Sequence, residues 1–462
     1  MTINESDSSQ EVLGRKEPIR LASCTPMLYE DKELLRALFE IKKACAEANC
    51  TTGLLSREKA EVIRLACERL IAGKATRKAN VEKNAPFNVI ASTIDEMIIE
   101  FSEGVSREEL DYSQSSNDVL LSAQSIALYR HVLFMLASVR ELEEALEENA
   151  VRFSACVRCG RIGQRDSVPM TFGQVIAGWK ASLMRARKHV EMLLPEQLEL
   201  VLGGTVLGTG LGASPSYRRA VYEALRVITN LPVYAAQSPS AVSDSAFFGI
   251  YQGHGRMLAL MGAVKEIGYA VGKVANDLYV FSSGPRTGYR EFVLPTVAPG
   301  SSIMPGKLNP LMPELVLQVM QQVFANDTML SLTCNDLSLD VDTFASDAYA
   351  AVSESLSLLK GALHQLTELC IRGLEINAEF CANRVKDSLA LSHVVGILFG
   401  SETEKRIRTQ AVRTAKSVAT VCMEEKLLTE QEVDVLFSPV ALANAESSAQ
   451  LFATFRTKHP RN

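Results

Sequence analysis

What most restricts this chain is a set of very long helical runs. From residue 119 to about 149, roughly thirty positions pass without a proline or a glycine, the two residues that interrupt a helix most strongly. The first half of that run is almost wholly apolar and the second half is rich in glutamate, the pattern of a helix with one end buried and the other solvated. Comparable runs cover 174–194, 256–281, 311–332 and 347–372. Helices this long, without the regular charged positions of a coiled coil, predict an all-α fold built on a central long-helix bundle of about five members. Around it the pattern implies an N-terminal helical domain over 1–114, the bundle domain over 115–372, and a small C-terminal helical domain over 373–462.

The flanks are read from the same spacing. Residues 1–28 are polar, lack a period, and are expected to form a loose arm. From Asp31 a helix is predicted, with Leu34, Leu38, Ile41 and Cys45 on one face. Ser56 is a plausible N-cap for a second helix, with Val62, Leu65 and Leu70 apolar and Gly73 as its stop. A further helix is expected over 94–101, and shorter ones over 404–425 and 429–437 ahead of a basic end at Arg456, Lys458 and Arg461.

Composition limits the partners. With 47% apolar residues among 462, the chain holds more apolar surface than one bundle easily buries, so several chains are expected to share the core. A net charge of -6 without a basic stripe gives no reason to expect nucleic acid. Ten cysteines without a repeating pattern, and no signal segment ahead of them, fit reduced thiols in the cytoplasm. Cys156 and Cys159 have no second pair or histidine cluster to complete a zinc site, so helical spacing is the reading taken, and no metal is expected. No run is expected to cross a membrane, since even 257–281 carries Lys265, Glu266, Lys273 and Asp277.

Chemistry concentrates in Gly300-Ser301-Ser302-Ile303-Met304-Pro305-Gly306-Lys307-Leu308-Asn309-Pro310. Two glycines and two prolines bar a regular helix or strand. The loop is either a surface turn or a device holding hydroxyls, a cation and a carboxamide to deprotonate carbon and stabilise an oxyanion. Ser115, Ser116 and Asn117 stand just before the longest helix, where they cap it, hold an anion at its N-terminus, or do both. The stretch Gly203-Gly204-Thr205-Val206-Leu207-Gly208-Thr209-Gly210 follows no βαβ strand, so its glycines are read as packing residues and Thr205 as a weaker site candidate. His131, His189, His364 and His393 fall in helical patterns and are read as structural; His254, between Gly253 and Gly255, has a flexible setting.

The order Ser-Ser-Ile-Met-Pro-Gly-Lys-Leu-Asn-Pro closely resembles the signature of the fumarase/aspartase superfamily, whose members eliminate ammonia, water or an amine from a succinate skeleton to release fumarate. Further stretches resemble that family in the same order: Ser113-Gln114-Ser115-Ser116-Asn117-Asp118, Val168-Pro169-Met170-Thr171-Phe172-Gly173-Gln174, the glycine-rich stretch from Gly203, and Ala275-Asn276-Asp277 ahead of Ser283-Gly284-Pro285-Arg286. The resemblance implies Ser301 as the base, Lys307 and Asn309 as donors to the developing charge, and Ser115, Ser116 and Asn117 as substrate contacts. It also implies a homotetramer with sites shared between subunits, a small dicarboxylate substrate, and no cofactor. Asn309-Pro310-Leu311-Met312-Pro313-Glu314 looks more like aspartases than fumarases. The implied activity is therefore loss of ammonia or an amine from aspartate or a substituted aspartate. A fumarase-like hydratase and a catalytically silent helical assembly are the alternatives.

Two departures bear on that activity. Most relatives carry Gly-Arg-Thr-His, or Gln in the last place, ahead of Val-Pro-Met, and the Thr and His contact substrate. This chain has Gly160-Arg161-Ile162-Gly163, so the leaving group is expected to depend on pocket shape near Ile162 and Gly163, with Arg165 either a replacement cation or a solvated surface residue. Relatives also carry a Thr- and Asn-rich loop ahead of Ser-Ser-Asn. It is read here as shortened to Ala91-Ser92-Thr93-Ile94-Asp95, which leaves Thr93 as its candidate contact. Each lost hydrogen bond to a charged group costs roughly 1.5–3 kcal/mol, so either the pocket suits another leaving group or activity has declined.

Overall fold

The computed structural model describes residues 31–73, 87–237, 245–298, 303–304, 306–335, 339–342 and 345–459. The arm expected over 1–28 lies outside them. Helix α1, Lys32–Thr51, starts where the side chain of Asp31 accepts from the Glu33 and Leu34 amides. Its buried face is the predicted one, with Leu34, Leu38, Ile41 and Cys45 all excluded from water. It packs on α2, Arg57–Ile71. Ser56 caps α2 as expected, its Oγ accepting from Lys59 N. The buried face is Ala60, Ile63, Cys67 and Leu70, however, while Leu65 is exposed. With about 3.6 residues per turn, position 65 falls almost opposite the 60/63/67/70 row and leaves the core despite being apolar, while Val62, at the edge of that row, is half-buried.

Helix α3, Phe87–Glu100, begins earlier than predicted. The stretch 91–95 that reads as a shortened loop lies inside it, with Ile94, Asp95 and Ile98 buried. Helix α4, Ser116–Arg152, outruns its prediction at both ends. Leu120, Ile126, Val132, Val139, Leu142 and Leu146 are fully buried, so its apolar stripe runs the whole length. The glutamates divide by face and not by end: Glu144, Glu147 and Glu148 are exposed, while Glu143 is buried against Arg187. By length and composition α4 alone, among the described residues, is apolar enough to cross a membrane, contrary to the sequence expectation; 78% of its apolar window is buried within the protein.

An antiparallel hairpin follows, β1 Val157–Ile162 and β2 Arg165–Thr171. Ile162 pairs with Arg165, and Gly163 and Gln164 both have positive φ (55° and 64°), the geometry of a two-residue type I′ turn. Cys159 lies in β1, so the Cys156–Cys159 spacing belongs to a strand entry and not to a helix. Next come α5 Phe172–Leu193, α6 Pro215–Thr229, α7 Gly255–Phe281, α8 Leu311–Thr333 and α9 Ala345–Leu366, the last extended by a π turn, Thr367–Ile371; all but α6, for which no helix was expected, match the sequence closely. Near the C-terminus the single helix expected over 404–425 is two, Ser401–Thr414 and Val418–Glu424. Ala415 takes a left-handed conformation between them, and Ser417 caps the second. The helix Glu430–Leu436 opens with a Thr429/Glu432 capping box, where it was predicted.

The architecture is all-α, with three two-stranded sheets as its β content among the described residues. The chain divides into two compact units. One comprises the described residues of Met1–Leu133, Val190–Gly262 and Ala325–Leu356, the other those of Phe134–His189, Ala263–Phe324 and Ser357–Asn462. In the first, Leu121, Val201, Phe247, Tyr251 and Ala345 form a core cluster beneath the start of α4. In the second, Val395, Leu398, Ile407, Val421, Cys422 and Leu436 form the C-terminal core.

Candidate active site

The Ser-Ser-Asn motif is set by the residue that follows it. Asp118, fully buried, accepts from Ser115 N at 2.8 Å through Oδ1, and from Gly203 N at 3.0 Å and Thr205 N at 3.1 Å through Oδ2. Burial pushes its carboxyl up to about 7, against the pull of these amides. Asn117 Nδ2 donates to Val206 O at 2.8 Å, a second tie to the same glycine-rich segment. Arg218 Nε donates to Gly203 O at 2.9 Å, and a Cβ on Gly203 would lie 2.6 Å from Arg218 Cγ, on Gly210 only 1.8 Å from its Nη2. These glycines make room for Arg218, which is the packing role the sequence implied. Thr205 is itself buried at φ 56°, its carbonyl accepting from Tyr251 Oη at 2.7 Å and its Oγ1 left without a partner.

Ser115 and Ser116 line a cavity of about 220 Å³ with Lys42, Asp95, Arg107, Asp111 and Gln114. Lys42, 4% exposed, places Nζ 2.7 Å from Oδ1 of both Asp95 and Asp111. Burial works against its charge, but the two carboxylates outweigh that and hold the ammonium above its usual range. Burial raises the Asp95 carboxyl. The guanidinium of Arg107 stands 3.9 Å from Asp95 and is half exposed. Thr93 lies half-buried on α3 just ahead of Asp95. The sequence reading missed Lys42, Asp95, Arg107 and Asp111. The available signal was Lys42 itself, a charge on the row Leu38, Lys42, Cys45 of an otherwise apolar helix face.

Lys307, Asn309, Ile162, Gly163 and Arg165 belong to the second unit. Lys307 is exposed and Asn309 half-buried in a turn where Lys307 N donates to Met304 O at 3.2 Å and Gly306 has φ 80°. Ser301, Ser302 and Pro305 lie outside the described residues. Ile162, 75% exposed, and Gly163 form the hairpin tip, and Arg165 is solvated beside them. The base of that hairpin is buried: Arg158 and Arg161 reach Glu291 at 2.9 and 2.6 Å. His254 is not flexible. It is 5% exposed, with Nε2 2.6 Å from Asp342 Oδ2, and its carbonyl accepts from Leu258 N, so the neighbouring glycines open α7 instead of loosening the chain. His131 bonds Asp31, and His189 faces Glu266 at 2.6 Å, as structural histidines. No group of three or more metal-ligating side chains occurs among the described residues.

A family model described as Lyase matches residues 17–325. The aspartate ammonia-lyase of Pseudomonas aeruginosa is 32% identical over 433 residues, covering 90% of this chain and 89% of that protein. The class II fumarate hydratase of Listeria monocytogenes is 28% identical, covering 89% and 91%. Among solved structures, a fumarate lyase:delta crystallin from Brucella melitensis superposes with a TM-score of 0.85 at 27% identity, covering 92% of this chain and 94% of that one.

Proposed function

The chain belongs to the fumarase/aspartase superfamily of lyases, and from that premise we propose that it eliminates ammonia or an amine from L-aspartate or a substituted aspartate, giving fumarate or an analogue. The reaction removes a weakly acidic proton from the carbon beside a carboxylate, and the dianion that results is the species to be stabilised. In this reading Ser301 takes the proton. Lys307 and Asn309 absorb charge on the carboxylate, while Ser115, Ser116 and Asn117 hold the substrate. The tetramer implied by the resemblance completes the site.

The observation that supports it most directly is the built geometry of Ser115-Ser116-Asn117, fixed by buried Asp118 at the start of α4 and opening on a cavity with a buried cation. The aspartate ammonia-lyase likeness favours the amine; the class II fumarase likeness at 28% supports water loss as the second reading. Incubating the enzyme separately with L-aspartate and L-malate, and following fumarate absorbance, tests the order. Product from malate and none from aspartate would reverse it. Ser301→Ala should lower kcat by roughly 10²–10⁴, the contribution of one positioned base. Undiminished turnover would remove Ser301 from that role.

A further inference from the structure

We infer that Arg290 and Arg384, set together on the ring of Phe380, form a binding site for a diphosphate group. The inference stands apart from the lyase reading and uses none of its residues.

Two segments of the second unit build the site. Arg290 closes the loop that follows α7, and Phe380 and Arg384 lie on the helix Ala378–Asp387. Arg290 holds a left-handed backbone, φ 56°, which glycine or asparagine adopts at lower cost. The bonds that impose it leave the side chain unused: Arg290 N donates to Ser283 O at 2.9 Å, and its carbonyl accepts from Asn377 Nδ2 at 2.7 Å. A strained position that nonetheless carries a long cation marks the cation as the useful part. The guanidinium carbon of Arg290 stands 5.0 Å from the centre of the Phe380 ring, and that of Arg384 4.7 Å from the same centre. The ring attracts both cations and cancels neither charge. Neither side chain has an ion pair or hydrogen bond among the described residues. Glu291, the adjacent carboxylate, is buried and taken by Arg158 and Arg161, while Glu379 and Asp387 on the same helix pair with neither arginine. Arg290 and Arg384 are exposed, so a ligand in solvent reaches their N–H groups. The two charges lie no further apart than those two distances laid end to end, which two joined phosphates span. Each planar fork fits one phosphate through paired N–H bonds, and a diphosphate carries charge enough for both.

Calorimetric titration of the full chain with sodium pyrophosphate, orthophosphate and ADP, at fixed ionic strength and without added metal, tests it. Pyrophosphate is expected to bind about tenfold tighter than orthophosphate, which meets one fork at a time. Arg290→Asn and Arg384→Gln should each weaken pyrophosphate by about tenfold or more. Arg290→Lys keeps the charge and loses the fork, so it should weaken pyrophosphate by only about threefold. Asparagine tolerates the left-handed backbone, so the Arg290→Asn protein should unfold at a temperature no lower than wild type. A lower midpoint with unchanged pyrophosphate affinity would make the arginine a structural one and overturn the inference. Pyrophosphate binding that both variants leave intact also overturns it, since the anion then sits elsewhere, as does wild-type protein that binds none of the three. ADP binding within about tenfold of pyrophosphate, or tighter, assigns the group to a nucleotide; weaker binding than that assigns it to the inorganic ion, and either result keeps the inference.

Discussion

Two buried charge clusters, one in each unit, are made of the same kinds of group and end differently. In the first unit Lys42 serves Asp95 and Asp111; in the second Arg158 and Arg161 serve Glu291. Each carries one charge too many. Around Glu291 the excess is positive and aromatic faces receive it: Arg158 lies 4.3 Å from the Phe281 ring centre, Arg161 4.8 Å from that of Tyr289. Around Lys42 the excess is negative and it borders a cavity. A cluster closed by rings holds a hairpin in place, whereas a cluster beside a cavity is available to a ligand.

The comparison is broken most readily at Glu291. Its replacement by Gln strands two guanidiniums, one of them, Arg158, already pushed below its usual range by burial with Glu291 as the chief counterweight. Removing one partner of a buried ion cluster costs about 3–5 kcal/mol. Urea unfolding of Glu291→Gln should show a loss of that size; a loss under about 1 kcal/mol would mean the rings alone suffice.

Lys42→Met leaves Asp95 buried without its cation while Asp111 keeps solvent, so a somewhat smaller loss of about 3 kcal/mol is expected at neutral pH. The sign of its pH dependence is fixed. Lys42 is held above 10.5 in the folded protein, so its contribution is complete below 10.5 and disappears as pH rises through the higher folded value. Unfolding free energies of wild type and variant should therefore differ by a constant amount across neutral pH and converge only in the alkaline range. Convergence already at mild pH would contradict the two-carboxylate partnership.

Asp118→Asn tests the pin between the motif and the glycine-rich segment. An amide retains one acceptor and turns an NH₂ toward backbone donors, costing about 1–3 kcal/mol. In wild type the folded carboxyl takes its proton at about 7, the unfolded one near 3.8. Wild type therefore gains stability relative to the Asn variant as pH falls from about 7 toward 3.8, and the gain is absent above it. Thermal unfolding at two pH values on either side of 7 reads this directly, and a pH-independent gap would rule it out.

The long helices were legible because period, length and the absence of Pro and Gly all point the same way; α7 and α8 begin within a residue of their predicted starts. What failed was local competition. Residues 91–95 read as a shortened loop because the family resemblance puts a Thr- and Asn-rich loop there, yet the buried Ile94 and Ile98 draw them into α3. The serine motif was legible from its resemblance and its place before α4. The cavity behind it was not, since Lys42, Asp95 and Asp111 come from segments far apart in sequence whose meeting no local pattern encodes.

The hairpin above Glu291 gives the smallest effect and sharpens the contrast between its anchored base and its open tip. Gln164 sits at φ 64°, where a side chain costs about 1–2 kcal/mol and glycine almost nothing. Its Oε1 accepts from Tyr289 Oη at 3.0 Å in an exposed setting, a bond worth about 0.5–1.5 kcal/mol. Gln164→Gly removes the bond and the strain together, so stability should move by no more than about 0.5 kcal/mol, whereas Gln164→Ala loses the bond and keeps the strain, and should fall by about 1 kcal/mol. The ranking, Gly above Ala, is the prediction, measured by paired denaturant titrations. Ala above Gly would mean that the turn between β1 and β2 is not the I′ geometry, and that the tip is held by its side chain instead of its backbone.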